Sequence, residues 1–243
     1  MRILSFNFLK NCKLKTPCLL LCRQLSSEVI PAAEPTLKVL GDPKLLEFSS
    51  SWPAHEESEL RAAMLRDMRV LPDFISEAEE AALLAELEPY LKRMRYEFDH
   101  WDNAIEGYRE TERRQWSPAN EAVARRVKAA AFPGAAPLPH AHVLDLAARG
   151  HIRPHVDSVR FCGAVIAGLC LMSTAVMRLQ HCSAEHLAVD ALLRRRALYI
   201  MSGAARYHFT HAVRPRARRL AVIWRAPPDP RGPAAPRLPS APQ

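Results

Sequence analysis

The apolar and polar positions in the first half of the chain follow helical spacing. In SEAEEAALLAELEPYLKRM, leucines recur three or four residues apart behind a capping box of Ser76 and Glu79, which predicts a helix. Pro89 should end or kink that helix. A second helix is predicted to begin with Ser117 as N-cap and Pro118 at its first position. The apolar faces are Leu84, Leu87 and Leu91 in the first helix and Val123, Val127 and Ala130 in the second.

From His142 onward the pattern changes to short strands. HVLDL alternates in polarity, and Arg149–Gly150 predicts a turn after it. GAVIAGLCLM predicts a buried strand, and VMRLQ, LAVDALL, Tyr199–Met201 and Leu220–Trp224 continue the series at intervals of about eight to twelve residues. Helices come first and strands later, without alternation. This order favours an α+β fold, a double-stranded β-helix (jelly roll) with the N-terminal helices packed on one sheet.

The two ends differ from the middle. Residues 1–27 are basic and acid-free, which is typical of a mitochondrial targeting segment; a secretory signal with its core at Thr16–Cys22, or a disordered start, are the alternatives. Residues 28–65 have scattered prolines and no periodicity, which predicts a linker before a domain at 66–226. Residues 227–243 predict a proline-rich disordered tail. No run reaches the roughly 18–20 apolar residues of a membrane span, so none is expected.

The net charge of +8 is concentrated at the N-terminus. Residues 1–27 contribute +5 and residues 226–243 contribute +1, which leaves +2 for residues 28–225. A surface with so little net charge is not a general polyanion footprint, although arginines cluster at 194–196 and 214–219. The six cysteines form no C-x-x-C pair, which favours buried free thiols in a reduced compartment.

One segment carries candidate metal ligands. RPHVDSVRFCG places His155 and Asp157 two residues apart, on the same face at the end of a strand. An imidazole and a carboxylate in these positions can occupy two adjacent sites of one metal, and a histidine from a distant strand completes a 2-His-1-carboxylate face. His211, in GAARYHFTHAV, is the candidate. Each histidine alone is more often a surface or core residue; the strands on both sides favour the metal interpretation.

The surrounding segments resemble a known family. The run ALYIMSGAARYHFTH, with HVLDLAARGHIRPHVDS before it and RRLAVIWR after it, resembles the AlkB-related dioxygenases. RYEFDHWDNAIEGYRETERRQWS and HIRPHVDSVRFCG narrow the resemblance to the mitochondrial branch of that family, and the similarity covers about Arg66–Arg225. The resemblance implies an Fe(II) cofactor held by His155, Asp157 and His211. It also implies that 2-oxoglutarate and molecular oxygen are co-substrates, with succinate and carbon dioxide as products.

The resemblance further implies that Tyr199, Arg219 and Arg225 bind a carboxylate of 2-oxoglutarate, a role that suits the planar guanidinium fork. The sequence departs from the family between His211 and Arg219, where a loop is shortened. We expect Arg214–Arg216 to form a turn, so that His211 and Arg219 face each other across a hairpin and both point into the barrel. If Arg219 pointed to solvent, the chain would be a catalytically silent metal-binding interaction module.

The substrate is less constrained than the cofactor. The resemblance implies a protein hydroxylase of the mitochondrial matrix, associated with programmed necrosis and fatty-acid metabolism. AlkB relatives that repair nucleic acids use a lid and stack a flipped base on aromatic residues. Residues 118–141 predict a helix and a proline-rich loop, and aromatic residues are only 7% of the chain, so no aromatic and basic lid is expected. We expect a monomer with a protein substrate and no strong nucleic-acid binding; a tRNA or DNA demethylase is the alternative.

Overall fold

The computed structural model describes residues 40–52 and 58–229 of the chain. The predicted targeting segment and all but the first three residues of the predicted tail lie outside them. The helices are α1 (Ser58–Asp67), α2 (Glu77–Leu91), α3 (Pro118–Ala131) and α4 (Gly203–Tyr207). The strands are β1 (Leu46–Phe48), β2 (Met68–Leu71), β3 (Ile105–Arg113), β4 (Ala141–His155), β5 (Ile166–Leu171), β6 (Ala175–His181), β7 (Ala188–Leu193), β8 (Leu198–Met201), β9 (Phe209–Pro215) and β10 (Arg219–Arg225).

The strands form a curled antiparallel sheet whose two halves share the long strand β4. The first part of β4 pairs with β10, and that half continues through β5, β8 and β2. The last part of β4 pairs with β9, and the other half continues through β6, β7 and β1. Strand β3 lies along β4. The predicted α+β jelly roll is confirmed.

Alternation along the strands builds two apolar clusters, one on each face of the half that contains β10. On β10, Leu220, Val222 and Trp224 pack in the same cluster as the buried side of α2 and α3. Ala221 and Ile223 belong to the other cluster, which lines the interior of the roll. Successive strand residues point to opposite faces, so one short strand serves both clusters. The prediction that helices pack on one sheet is confirmed.

The two predicted helices form where expected. Ser76 Oγ accepts a hydrogen bond from the Glu79 backbone N–H at 3.2 Å, and the Glu79 carboxylate accepts one from the Ser76 N–H at 2.8 Å. Helix α2 continues past Pro89 for two residues and then ends. Its fully buried leucines are Leu83, Leu87 and Leu91, with Leu84 at the edge of the face. Within the described ranges, no helix is long and apolar enough to cross a membrane.

The turn predicted at Arg149–Gly150 is wrong, because β4 runs through these residues without a break. Gly150 instead allows a close approach to β3, where a Cβ atom at position 150 would lie 2.4 Å from the carbonyl oxygen of Gly107. The β3–β4 register shifts at this point, between Glu106 and Tyr108. The glycine therefore marks a β-bulge, a second common reason for glycine in a strand.

The linker predicted at residues 28–65 is also wrong for its described part. Strand β1 pairs with β7, and α1 packs against α4. Trp52 is buried, stacks on Phe209 with ring centroids 6.4 Å apart, and donates an indole hydrogen bond to the Ala188 carbonyl at 2.8 Å. A three-residue strand is too short to show periodicity, so this segment could be recognised only from its tertiary contacts.

Candidate active site

The fold brings together the three residues predicted as metal ligands. His155, at the end of β4, is the register partner of His211 on β9, and their ring centroids lie 4.3 Å apart. Asp157 follows two residues after His155, and its Oδ1 lies 3.3 Å from His155 Nε2 and 3.5 Å from His211 Nε2. Ligand atoms from all three residues lie within 4.8 Å of one another. This is the donor set and the spacing of a 2-His-1-carboxylate metal site.

Hydrogen bonds orient the ligands. The Nδ1 atom of His155 lies 2.9 Å from the Arg153 carbonyl, which can only accept, so Nδ1 carries a proton and Nε2 is the nitrogen that faces Asp157. Burial lowers the pKa of His155, but the hydrogen bond and charge of Asp157 outweigh it and raise that pKa, so a bound cation would displace a proton from Nε2. Burial lowers the pKa of His211 to about 3, with a further contribution from His155, so its imidazole is neutral. Both histidines therefore direct Nε2 towards the position that a cation would take.

Arg225 holds the carboxylate of the cluster. Its Nε atom donates to Asp157 Oδ2 at 2.9 Å, so one carboxylate oxygen is occupied by the guanidinium and the other faces the two imidazoles. Burial opposes ionisation of Asp157, but Arg225 and the hydrogen bond with His155 outweigh it and hold the pKa of Asp157 well below its usual range. The carboxylate is therefore ionised and directed, as metal binding requires.

Tyr199 and Arg219 line a small cavity of about 40 Å³ that reaches the three candidate ligands. The Arg219 side chain is only 2% exposed, and within the described residues its one side-chain hydrogen bond goes to Cys170 Sγ at 3.5 Å. Its Nε atom is buried and has no hydrogen-bond partner among residues 40–52 and 58–229. Burial raises the pKa of Tyr199 to about 12, so the phenol remains a donor. A buried guanidinium without a carboxylate is costly unless an anion binds it.

The hairpin predicted between His211 and Arg219 is wrong. Strand β9 runs through Pro215, and β9 and β10 flank β4 instead of pairing with each other. In the link between them, Arg218 bonds the buried Asp145 at 2.7 Å, on the helix-facing side. Because strand neighbours alternate, the next residue, Arg219, points into the roll. The short connection brings His211 and Arg219 to the same site because their strands lie on either side of β4. Both side chains line the small cavity, in agreement with the predicted inward direction.

Gly168, which the sequence pattern did not single out, positions Tyr199. The two residues are register partners in the β5–β8 pair, and a Cβ atom at position 168 would lie 2.2–2.4 Å from atoms of the Tyr199 ring. The available signal was an isolated glycine within the apolar run GAVIAGLCLM, which often marks a close approach. The tyrosine ring therefore occupies the space that any larger residue at this position would fill.

We expect Gly168→Ala to displace the Tyr199 ring and weaken 2-oxoglutarate binding, with an overpacking cost of about 1–3 kcal/mol in the free energy of unfolding. Isothermal titration with 2-oxoglutarate and urea unfolding measure the two effects. Tyr199→Phe is the matched control, because it removes the hydroxyl without moving the ring. Wild-type affinity in Gly168→Ala would show that the ring position does not matter.

A larger cavity of about 810 Å³ opens on the other side of the candidate metal site. It shares His155, Asp157 and Arg225 with the small cavity, so the metal cluster lies where the two cavities meet. Trp101 and Phe161 stand at this cavity with 74% and 59% exposure, and their rings meet edge to face at 6.2 Å. One cavity of this site is thus small and cationic, and the other is large enough for a substrate side chain.

Comparisons with known proteins agree with this arrangement. The 2OG-Fe(II) oxygenase superfamily model matches residues 67–231. The chain belongs to this superfamily, whose members use Fe(II) and 2-oxoglutarate. The His155, Asp157 and His211 cluster fits the iron because it offers two imidazoles and one carboxylate. The protein is therefore a 2-oxoglutarate-dependent dioxygenase, and molecular oxygen is its second co-substrate.

Two curated relatives narrow the class. The chain is 50% identical over 192 residues to the alpha-ketoglutarate-dependent dioxygenase alkB homolog 7, mitochondrial, of Bos taurus, covering 73% of this chain and 87% of the relative. It is 45% identical over 202 residues to the Mus musculus protein of the same name, covering 78% and 91%. The chain is thus an oxygenase of the AlkB homolog 7 type. The solved structure of OsALKBH1 is 15% identical with a TM-score of 0.54, covers 65% of this chain and 97% of its own, and supports the fold alone.

Proposed function

We propose that the chain is a hydroxylase that acts on a protein substrate, as a monomer, in the mitochondrial matrix. In this proposal His155, Asp157 and His211 hold the iron, and Tyr199 and Arg219 bind the remote carboxylate of 2-oxoglutarate. Bound iron supplies the redox chemistry that oxidises the co-substrate to succinate and carbon dioxide and the substrate at a C–H bond. The observation that carries the proposal is Arg219, a buried cation without a carboxylate partner among the described residues.

Each polar group near the metal has a distinct part in this proposal. Arg219 neutralises the carboxylate of 2-oxoglutarate, and the Tyr199 hydroxyl donates a hydrogen bond to it. Arg225 stays with Asp157 and keeps one oxygen of that carboxylate away from the metal. Arg225 lines the same small cavity, so it also helps to orient the co-substrate. Apolar side chains such as Ile223 exclude water from the reacting atoms.

The charge of the large cavity supports a protein substrate. Four carboxylates line this cavity, and its one arginine is already bonded to one of them. The carboxylates belong to Asp102, Glu110, Glu112 and Asp157, and the arginine is Arg225. A phosphate backbone needs arginine or lysine side chains to replace its counterions, and this lining would repel it. The exposed aromatic pair at the rim, Trp101 and Phe161, is of a kind enriched at protein interfaces.

The location in the proposal rests on two observations. The two curated relatives are named mitochondrial, and residues 1–27 of this chain are basic and acid-free. A fusion of residues 1–40 to a fluorescent reporter should accumulate in the matrix, and a diffuse cytosolic signal would refute the location. The links to programmed necrosis and fatty-acid metabolism rest on the family resemblance alone.

The substrate class is tested by supplying both candidates to the full chain. With Fe(II), 2-oxoglutarate and isotopically heavy O₂, we expect mass spectrometry to find heavy oxygen in matrix proteins, absent with the Asp157→Ala variant. Methylated oligonucleotides should bind weakly, with Kd of about 1 µM or above at physiological salt, as non-specific contacts do. Unlabelled proteins, together with loss of methyl groups and release of formaldehyde from the oligonucleotides, would favour the nucleic-acid demethylase instead.

A further inference from the structure

A chain of hydrogen bonds leads from the candidate metal ligand Asp157 into the large cavity. Arg225 Nε donates to Asp157 Oδ2 at 2.9 Å, and Arg225 Nη1 lies 3.2 Å from His142 Nδ1. On the far side of the same ring, His142 Nε2 lies 2.8 Å from Glu110 Oε2. Glu110, His142 and Arg225 lie on the adjacent strands β3, β4 and β10, and Asp157 lies two residues after the end of β4. None of the four was joined to the others by the sequence pattern.

The donors and acceptors in these hydrogen bonds can be arranged in only one way. A guanidinium has no acceptor, so Arg225 donates and His142 Nδ1 must accept. His142 is then neutral, its proton is on Nε2, and that N–H donates to the Glu110 carboxylate. A protonated His142 would turn an N–H towards the guanidinium, so two donors of like charge would face each other. Glu110 suits the role because its hydrogen bond with His142 keeps its pKa below the usual range.

The backbone holds these side chains on one face. His142 is the register partner of Glu112 on β3 and of Ile223 on β10, so Glu110 and Arg225, two residues away on their strands, share its face. The carbonyl of Arg225 also accepts a hydrogen bond from the Leu138 N–H at 2.8 Å. Both the backbone and the guanidinium of Arg225 are thus fixed, by contacts that do not involve the metal ligands.

We infer that His142 and Glu110 are positioning residues for the metal centre, which hold Arg225 against one oxygen of Asp157 and leave the other oxygen for the metal. The inference rests on the proposed role of Asp157 as an iron ligand. Without His142, the Nη1 atom of Arg225 loses its contact, so the guanidinium can shift and Asp157 can turn its second oxygen inward. Loss of residues that orient a metal ligand without binding the metal typically weakens metal affinity by about 10–100-fold.

The test measures Co(II) binding to the full chain, by titration and by the visible spectrum of the bound ion, without 2-oxoglutarate or turnover. We expect His142→Leu to weaken Co(II) binding by about tenfold or more and to change the spectrum. His142→Gln should restore both to near wild type, because its amide accepts from Arg225 and donates to Glu110. His140→Leu is the matched control. His140 lines the same cavity but takes no part in the hydrogen bonds from Asp157 to Glu110, so Co(II) affinity should not change.

The outcomes separate this inference from the function on which it rests. If wild type binds no stoichiometric Co(II), the metal role of the triad fails. If wild type binds Co(II) and His142→Leu binds it with the same affinity and spectrum, only the inference fails. A His142→Gln variant as weak as His142→Leu also overturns it. If His142→Leu does not fold, Glu110→Ala at the half-exposed outer end takes its place; unchanged Co(II) affinity there contradicts the inference.

Discussion

Replacing Asp157 by Ala should abolish stoichiometric iron binding and 2-oxoglutarate turnover while leaving the jelly roll folded. Asp157 places one oxygen 3.3 and 3.5 Å from the two imidazoles and is the one carboxylate in the described cluster. Removing it leaves only two imidazoles, which hold Fe(II) poorly. We expect activity to fall by more than the roughly 10–100-fold that is typical when a residue hydrogen-bonded to a metal ligand is lost. Iron analysis of the anaerobically loaded protein and a 2-oxoglutarate turnover assay measure the loss.

The control for this substitution is Asp190→Ala. Asp190 is a partly exposed aspartate on β7 that pairs with Arg178 at 3.0 Å, outside both cavities. The Asp190→Ala variant should retain iron and activity. A loss seen only in Asp157→Ala would then come from the missing ligand and not from the removal of an aspartate as such. Circular dichroism should give the same spectrum for both variants. Stoichiometric iron in Asp157→Ala would mean that the metal site is elsewhere.

Replacing Arg219 by Lys should weaken 2-oxoglutarate binding while sparing iron. Lysine keeps the positive charge but loses the planar fork that binds a carboxylate through two parallel hydrogen bonds. The loss of one charge-assisted hydrogen bond costs about 1.5–3 kcal/mol, or roughly a tenfold to hundredfold rise in Kd. Arg219→Met, which removes the charge as well, should lose about 2–5 kcal/mol. Titration of the iron-loaded protein with 2-oxoglutarate under anaerobic conditions gives both values.

Arg216→Lys is the matched control, since Arg216 is an exposed arginine in the link just before Arg219. Its affinity for 2-oxoglutarate should equal that of wild type. If Arg219→Lys also bound 2-oxoglutarate as wild type does, the buried guanidinium would have another purpose. The co-substrate would then have to be held by Arg225, the other arginine that lines the small cavity.

The sequence predicted the parts of the site that local spacing determines. His155 and Asp157 had to share a face because they lie two residues apart at a strand end, and His211 entered as the distant histidine. The family resemblance added Tyr199, Arg219 and Arg225, and the structure bonds Arg225 to Asp157. The structure places these six residues around adjoining cavities, although strand β9, which carries His211, was not among the strands that the apolar pattern indicated.

The sequence did not predict the parts that depend on which strands become neighbours. The connection from His211 to Arg219 was expected to be a hairpin, because nothing local indicates that β4 inserts between β9 and β10. For the same reason His142 and Glu110, which are 32 residues apart, could not be joined to Arg225 before the register of three strands was known. At Gly150 a local signal was misinterpreted: a glycine within a strand was taken to predict a turn.

One measurement tests whether this chain binds Fe(II) at the triad of His155, Asp157 and His211 and 2-oxoglutarate beside it. The full chain is loaded anaerobically with Fe(II) and titrated with 2-oxoglutarate, and its visible spectrum is recorded. We expect a weak charge-transfer band that saturates at one equivalent of 2-oxoglutarate, is absent in Asp157→Ala and needs more 2-oxoglutarate in Arg219→Lys. A wild-type protein that retains stoichiometric iron but develops no band would contradict the account.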